Sequence, residues 1–153
     1  MQKNINIQNK RARFEYEFVD QYTAGIVLTG TEIKSIRMSK ASIAEAFCEF
    51  NEKGELFVVN MTIEEYDYGT HYNHKPRGSR KLLLNKKELK SLNKDVKNTG
   101  LTIIPLKLFI NDKGFAKMRI ALARGKKRFD KRETIKDREN KRNLDRVMKN
   151  AKR

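Results

Sequence analysis

The chain has 153 residues, 38% of them hydrophobic, and its 35 Lys and Arg outnumber 19 Asp and Glu, which gives a net charge of +16. This length fits one domain with one core, and the positive field favours polyanionic partners. The single cysteine, Cys48, excludes an internal disulfide, and no apolar run is as long as that of a signal peptide or a membrane span. We therefore expect a cytoplasmic protein.

The positive charge is concentrated at the end of the chain. From residue 124 to residue 153 there are 14 Lys or Arg against 5 Asp or Glu, which is +9 of the total +16. An apolar stripe at helical spacing is confined to residues 144–151, so a helix there would be marginal without a partner. We expect a globular domain over residues 1–124 and a basic tail over residues 125–153.

The first half of the chain predicts short strands and one helix. Residues 14–28 are rich in aromatic and β-branched residues but are interrupted at Ala24 and Gly25, which predicts two strands or one strand with a bulge. The stretch TEIKSIRM, from Thr31, predicts a short helix. Residues 42–61 predict a hairpin around the Asn-Glu-Lys-Gly turn at its centre.

The second half predicts another hairpin, around the related turn Asn-Asp-Lys-Gly at residues 111–114. In its second strand Met118, Ile120 and Leu122 alternate with basic or small residues, which predicts one buried face. Pro105 indicates an edge or a distortion in the first strand.

A helix is predicted between the two hairpins. Asn85 and Glu88 form a capping box that starts it, and Gly100 ends it after Lys97. Short strands with tight turns leave many edges, which closure of the sheet would protect. The sequence therefore predicts a mainly β fold: an OB-type closed antiparallel barrel with two or three short flanking helices and a basic C-terminal tail.

Residues 66–80 lack apolar periodicity and contain Gly and Pro, which predicts a long loop, and loops of this length are usually functional or mobile. His71 and His74 lie three apart in it, but a loop does not place them as a helix would, and Cys48 is the only thiol. The pattern favours contact with phosphate or a base over metal binding.

Three carboxylates near the start of the tail would share one side of a helix, as in some metal-dependent nucleases. Each of them, Asp130, Glu133 and Asp137, has a basic neighbour, so a solvated, ion-paired face is favoured. We predict no catalytic residue, no metal site and no cofactor.

Basic clusters occur at residues 9–13, 77–81 and 126–128 and in the tail. Lys and Arg neutralise phosphates without selecting a sequence. Tyr72 and Phe129 are candidates for stacking on unpaired bases, although Phe129 could equally anchor a helix on the barrel. These features predict a nucleic-acid-binding protein.

Four stretches together resemble one known family, in its order and spacing and over nearly the whole chain. They are NKRARFEYEF, AGIVLTGTEIKSIR, NHKPRGSRKLLLN and GKKRFDKR. The family is small protein B, the SsrA-binding proteins of trans-translation, or bacterial ribosome rescue.

The resemblance implies an OB-type barrel that binds the tRNA-like domain of transfer-messenger RNA and takes it into the empty A site of a stalled ribosome. The tail, disordered when free and helical when bound, would occupy the vacant mRNA channel beside the decoding centre of the small subunit. Elongation factor Tu and alanyl-tRNA synthetase would be partners through the shared RNA. The family's role is binding, without catalysis.

By position, the resemblance also implies the residues of two RNA-facing surfaces. On the barrel they are Asn9, Lys10, Arg11, Arg13, Glu32, Lys34, Arg37, Asn73, His74, Arg77, Arg80 and Lys81. On the tail they are Gly125, Lys126, Lys127, Arg128, Phe129, Asp130, Lys131 and Arg132. Phe14, Thr23 and Lys75 depart from the family's usual His, Glu and acidic residue, and Phe129 stands where His or Tyr is common.

The charges by themselves also fit a structural ribosomal or initiation-factor-like OB protein that holds ribosomal RNA. Such a component would stay on ribosomes washed in high salt and would not carry transfer-messenger RNA.

Overall fold

The computed structural model describes residues 5–69, 73–97 and 100–126. Nine strands and three helices lie within these ranges, and none of the helices is long and apolar enough to span a membrane. In chain order they are β1 (Asn6–Gln8), α1 (Ala12–Glu15), β2 (Tyr16–Ile26), α2 (Gly30–Arg37), β3 (Ala41–Ser42), β4 (Phe47–Phe50), β5 (Leu56–Val59), β6 (Thr62–Ile63), β7 (Arg80–Leu83), α3 (Lys86–Val96), β8 (Leu101–Ile110) and β9 (Ala116–Gly125).

The fold is mainly β, as predicted, and every strand pairing is antiparallel. Seven strands form one sheet in the order β1-β8-β4-β5-β7-β2-β9, and β9 also pairs with β8. Because β9, the last strand in this order, also pairs with β8, the strand pairings from β8 through β9 form a ring. The pairing of β4 with β8 is the weakest in this series, since it consists of the single pair Cys48 and Ile103. Strands β3 and β6 form a separate two-stranded sheet.

Strand β2 is one strand with an irregularity, as the second of the two predicted alternatives has it, but the predicted position of the irregularity at Ala24 and Gly25 is wrong. The register shift in its pairing with β9 lies between Phe18 and Asp20 instead. Ala24 is fully buried in the core, and a Cβ on Gly25 would lie 3.5 Å from Cβ of Leu83. Ala24 fits its buried position, the contact at Gly25 is ordinary van der Waals packing, and neither residue marks a break.

Both predicted hairpins are confirmed, between β4 and β5 and between β8 and β9. In each turn an Asn side chain accepts two backbone hydrogen bonds: Asn51 Oδ1 from residues 53 and 55, and Asn111 Oδ1 from residues 113 and 115. Gly54 and Gly114 have φ of +77° and +85°, a conformation that favours glycine. The local sequence therefore specifies both turns.

Pro105 lies inside β8 and not at the edge of the sheet, and it produces the predicted distortion. The register between β8 and β9 shifts between Pro105 and Lys107. The carbonyl of the residue between them, Leu106, accepts a hydrogen bond from Asn9 N at 2.8 Å. The irregularity thus gives the N-terminal segment its attachment to the sheet.

The two longer helices begin at capping boxes. The Asn85 and Glu88 box of α3 is confirmed, and α2 has a second box, formed by Thr29 and Glu32, that the sequence prediction missed. Helix α2 accordingly starts at Gly30, one residue before the predicted start. Helix α3 buries Leu92 against the core.

The main core draws on both longer helices and on seven of the strands, and its fully buried members include Met118, Ile120 and Leu122 of β9, as predicted. A second, smaller cluster joins Ala12 of α1 to Ala121 and other residues of β8 and β9. The short helix α1 therefore packs against these strands, and this contact places the basic residues around it.

Candidate nucleic-acid interface

The N-terminal basic segment is held to the sheet by its neutral residues. Asn9 donates from its backbone N to Leu106 and from Nδ2 to the Pro105 carbonyl at 3.2 Å, while Ala12 is buried. Lys10, Arg11 and Arg13 are exposed. Within the described part of the chain their side chains have no hydrogen-bond or ion-pair partner, so their charges are available to a ligand.

A groove of about 640 Å³ lies beside this segment. Its lining combines four cationic side chains with three apolar and three neutral polar residues: Lys10, Arg13, Lys107, Arg119, Ala12, Phe18, Leu106, Gln8, Asn9 and Gln21. We refer to it below as the N-terminal groove. It has cations for phosphates and an apolar surface for a sugar or base.

Lys107 and Arg119 were missed as candidate site residues. Arg119 belongs to the basic set of β9 positions that alternate with the buried ones, which is the signal that could have identified it. Its Nε donates to Gln21 Oε1 and its Nη1 to Thr23 Oγ1, both at 3.1 Å. Thr23 therefore orients an arginine of the groove through a neutral hydroxyl.

The segment from residue 73 to residue 81, together with α2, supplies the other predicted barrel residues. Here Glu32 and Arg80 are buried, with 6% and 5% of their surface exposed, and Arg80 Nε donates to Glu32 Oε2 at 2.5 Å. The guanidinium donates its other hydrogen bonds to the main-chain oxygens of Met61 (2.9 Å), Gly78 (3.0 Å), Lys75 (3.1 Å) and Pro76 (3.2 Å).

Glu32 links this arginine to the start of α2. Its Oε1 accepts from Thr29 N at 2.9 Å, while Thr29 Oγ1 accepts from Glu32 N. Burial by itself would raise the pKa of the Glu32 carboxyl, but the hydrogen bonds from Thr29 and the ion pair with Arg80 outweigh burial and lower that pKa. Glu32 is therefore a charged, fully paired carboxylate at neutral pH.

Asn73 and His74 also make internal contacts. The Asn73 side chain accepts from Tyr66 N at 3.2 Å and donates to the Tyr66 carbonyl at 2.8 Å. His74 Nε2 lies 3.0 Å from the Ile63 carbonyl, and Nδ1 lies 2.9 Å from Thr31 Oγ1. Since a carbonyl only accepts, Nε2 carries a proton, and a neutral ring accepts from Thr31 at Nδ1. The imidazole thus connects α2 to β6.

The remaining predicted residues of this region are accessible to different degrees. Lys34 and Arg37 are exposed on α2, and Lys34 Nζ lies 5.4 Å from the centre of the Tyr66 ring. Arg77 is exposed and lies 3.7 Å from Glu45, a weak surface pair. Lys81 is paired with Glu55 at 2.5 Å. We call the four exposed cations of this region, Lys34, Arg37, Lys75 and Arg77, the α2 surface.

Only the start of the predicted tail site lies within the described residues. Gly125 is the last residue of β9 and pairs with Tyr16, and Lys126 N donates to the Glu15 carbonyl at 2.9 Å. Outside the described residues lie the other predicted residues of the tail site, the three tail carboxylates, and His71 and Tyr72 of the loop: Lys127, Arg128, Phe129, Asp130, Lys131, Arg132, Glu133, Asp137, His71 and Tyr72.

Comparison with known proteins gives a consistent result. The family model described as SmpB protein matches residues 6–150. An SsrA-binding protein of Flavobacterium psychrophilum is 70% identical over 149 residues, which are 97% of this chain and 99% of that protein. The SsrA-binding protein of Brucella anthropi is 48% identical over 147 residues, with 96% and 92% covered.

A solved structure is similar as well. It is described as "tmRNA-SmpB: a journey to the center of the bacterial ribosome", and the matching chain is 44% identical with a TM-score of 0.68. The match covers 86% of this chain and 94% of that one.

Proposed function

Because this chain belongs to the SmpB family, we propose that it is an RNA-binding adaptor of trans-translation. It binds the tRNA-like domain of transfer-messenger RNA and delivers that RNA to the A site of stalled ribosomes in the cytoplasm. Elongation factor Tu and alanyl-tRNA synthetase join through the same RNA. Its role is to bind and position, without a chemical step of its own.

The observation that carries this proposal is the N-terminal groove. It brings Lys10 and Arg13 together with Lys107 and Arg119, which are about a hundred positions away in sequence. Arginine forms bidentate hydrogen bonds with phosphate, and each phosphate contact releases counterions. Such contacts recognise the path of a folded RNA backbone and not its base sequence. That is what an adaptor for one RNA shape requires.

The barrel residues divide into two sets within this proposal. The side chains that face RNA directly are the exposed ones of the N-terminal segment and the α2 surface. Lys81 is half-buried and paired with Glu55, so its charge is only partly available to RNA. Glu32, Asn73, His74 and Arg80 support the surface from within.

We further propose that the ring of strand pairings is an OB-type closed barrel, which forms the RNA-binding domain over residues 1–124. The return of the pairing order to β8 supports this assignment. Residues 125–153 form a tail that is disordered in the free protein and becomes helical in the vacant mRNA channel. Its net charge of +8 would meet ribosomal RNA there.

Within the tail, we propose that Gly125, Lys126 and Lys127 form a hinge and that residues 128–132 act at the decoding centre. A chain that stops after Gly125 tests the two-surface arrangement. It should bind the tRNA-like RNA within about threefold of the full chain, a difference of no more than about 0.65 kcal/mol, and should not support peptide tagging. A collapse of RNA affinity in this variant would contradict the proposal that the domain binds the tRNA-like RNA and the tail acts on the ribosome.

Sequencing the RNA that copurifies with the full protein from its own cells tests the function itself. Transfer-messenger RNA should be the dominant species. Recovery of ribosomal RNA alone, on ribosomes washed in high salt, would identify a structural ribosomal protein instead.

A further inference from the structure

Arg80 has no donor left for RNA. An arginine side chain has five N–H groups, and here one donates to Glu32 and four donate to main-chain carbonyls. The side chain is also almost fully buried. A phosphate could reach this guanidinium only by displacing a hydrogen bond that already satisfies a buried group.

The four carbonyls identify what Arg80 holds in place. Three of them belong to residues 75, 76 and 78, on either side of the exposed Arg77, and the fourth belongs to Met61 just before β6. Apart from these bonds, the segment is attached to β6 by the backbone bond from Ile63 N to the Pro76 carbonyl at 3.0 Å, by the isolated bridge between Thr62 and Arg77, and by His74 Nε2, 3.0 Å from the Ile63 carbonyl. The conformation that presents Lys75 and Arg77 therefore depends largely on Arg80.

Glu32 connects the same guanidinium to α2. Its carboxylate neutralises Arg80 with one oxygen and caps the helix with the other, so it fixes the start of α2 relative to the 75–78 segment. The exposed Lys34 and Arg37 follow on this helix. The buried pair, together with the His74 imidazole that lies between Thr31 and the Ile63 carbonyl, thus contributes to the relative placement of all four cations of the α2 surface.

We propose that Glu32 and Arg80 are positioning residues for RNA binding: they fix the α2 surface and do not contact RNA themselves. This inference rests on the proposed function, since it concerns the same RNA. Prearranged cations bind a folded RNA without an ordering cost, whereas a loosened 75–78 segment would have to be ordered on binding.

Three variants separate positioning from simple stability. Arg80→Met leaves Glu32 buried without its partner and should lower the Tm. The double variant Glu32→Leu/Arg80→Met removes both buried charges and so avoids the unpaired carboxylate of the single variant, while the four carbonyls still lose their donor. Arg80→Lys keeps the ion pair but has at most three donors, so it cannot hold all four carbonyls.

The readout is affinity for the purified tRNA-like RNA, measured as a function of salt at a temperature where circular dichroism shows each variant folded. The double variant and Arg80→Lys should bind roughly tenfold more weakly than the wild type, as expected for the loss of about two phosphate contacts. The salt slope should fall by roughly 1.5 to 2. Adding Arg77→Ala should then change little, because Arg77 is already misplaced.

The positioning role would be overturned if Arg80→Lys and the folded double variant bound RNA with wild-type affinity and if Arg77→Ala then caused its full loss of RNA affinity in each of them. Lys10→Ala/Arg13→Ala in the N-terminal groove keeps this result distinct from the proposed function. If that variant weakens binding and the Arg80 variants do not, positioning fails and RNA binding stands. If neither weakens binding, the proposed function itself fails.

Discussion

The N-terminal segment (residues 9–13) and the segment from residue 73 to residue 81 are both basic, yet they use their charges in opposite ways. In the first, neutral residues make the attachment to the sheet through Asn9 and the buried Ala12, and the cations remain unpaired among the described residues. In the second, the cation Arg80 is itself part of the attachment, and all of its donors are used by Glu32 and main-chain carbonyls. The role of a basic residue therefore follows from where its donors are satisfied, and not from its charge.

The two arrangements differ in what a substitution costs. Removing an exposed cation loses a ligand contact and changes folding little, because surface pairs contribute about 0–1 kcal/mol. Removing one partner of a buried pair leaves an uncompensated charge in the interior. Stability and RNA affinity should thus respond differently in the two segments, and the following predictions test this difference.

The largest expected effect is on stability in the second segment. Arg80→Met should cost about 3–5 kcal/mol, which lowers the Tm by roughly 10–15 °C for a chain of this length. The matched control is Arg77→Met, three positions earlier and exposed, which should shift the Tm by no more than about 2 °C. Equal shifts in thermal denaturation would contradict the internal role of Arg80.

In the N-terminal groove the large effect should be on RNA binding. Lys10→Ala/Arg13→Ala should weaken binding of the tRNA-like RNA roughly tenfold or more and lower its salt slope by roughly 1.5 to 2, because two phosphate contacts are lost. The Tm should stay within about 2 °C of the wild type.

A matched control for this pair is Lys87→Ala/Lys90→Ala, which removes the same charge from exposed positions of α3. It should change affinity by less than about threefold, the effect of a small change in the overall field. If the two double variants weaken binding equally, overall charge and not the groove determines affinity.

The pH dependence of stability should distinguish the buried carboxylate from exposed ones. Since the pKa of Glu32 is lower in the folded state, its stabilising effect is complete above the unfolded-state pKa of about 4.3 and is lost as pH falls through the folded-state value. Urea denaturation between pH 7 and pH 3 should therefore show a shallower acid loss in Glu32→Gln than in the wild type. A parallel loss in both proteins would mean that Glu32 is not charged and paired in the folded state.

The smallest effect concerns Cys48, which can report opening of the core. Its thiol is buried, and burial raises its pKa far above the ordinary value, so a thiol reagent should react with it only after the protein opens. Labelling should be faster in Arg80→Met than in the wild type and unchanged in Lys10→Ala/Arg13→Ala. Rapid labelling of the native wild type would show that this part of the core opens readily.

The sequence was sufficient where short-range chemistry decides the structure. The Asn-x-Lys-Gly turns specify both hairpins, because an Asn oxygen and a glycine at positive φ act within five residues. The Asn85 and Glu88 box specifies the start of α3, and the alternation around Ile120 identifies the buried face of β9. The family, the RNA-binding role and the mainly β fold were also correctly predicted.

What the sequence left open was decided by contacts between distant parts of the chain. Glu32 and Arg80 are 48 positions apart, and neither carries a local sign that its charge will be buried; burial results when β7 brings Arg80 beneath α2. Lys107 and Arg119 join Lys10 only after α1 packs on β8 and β9. Local sequence fixes turns and caps because the groups that stabilise them lie within a few residues of one another. The protonation, burial and partners of a charge depend instead on the dielectric surroundings and on the donors that the whole fold brings together.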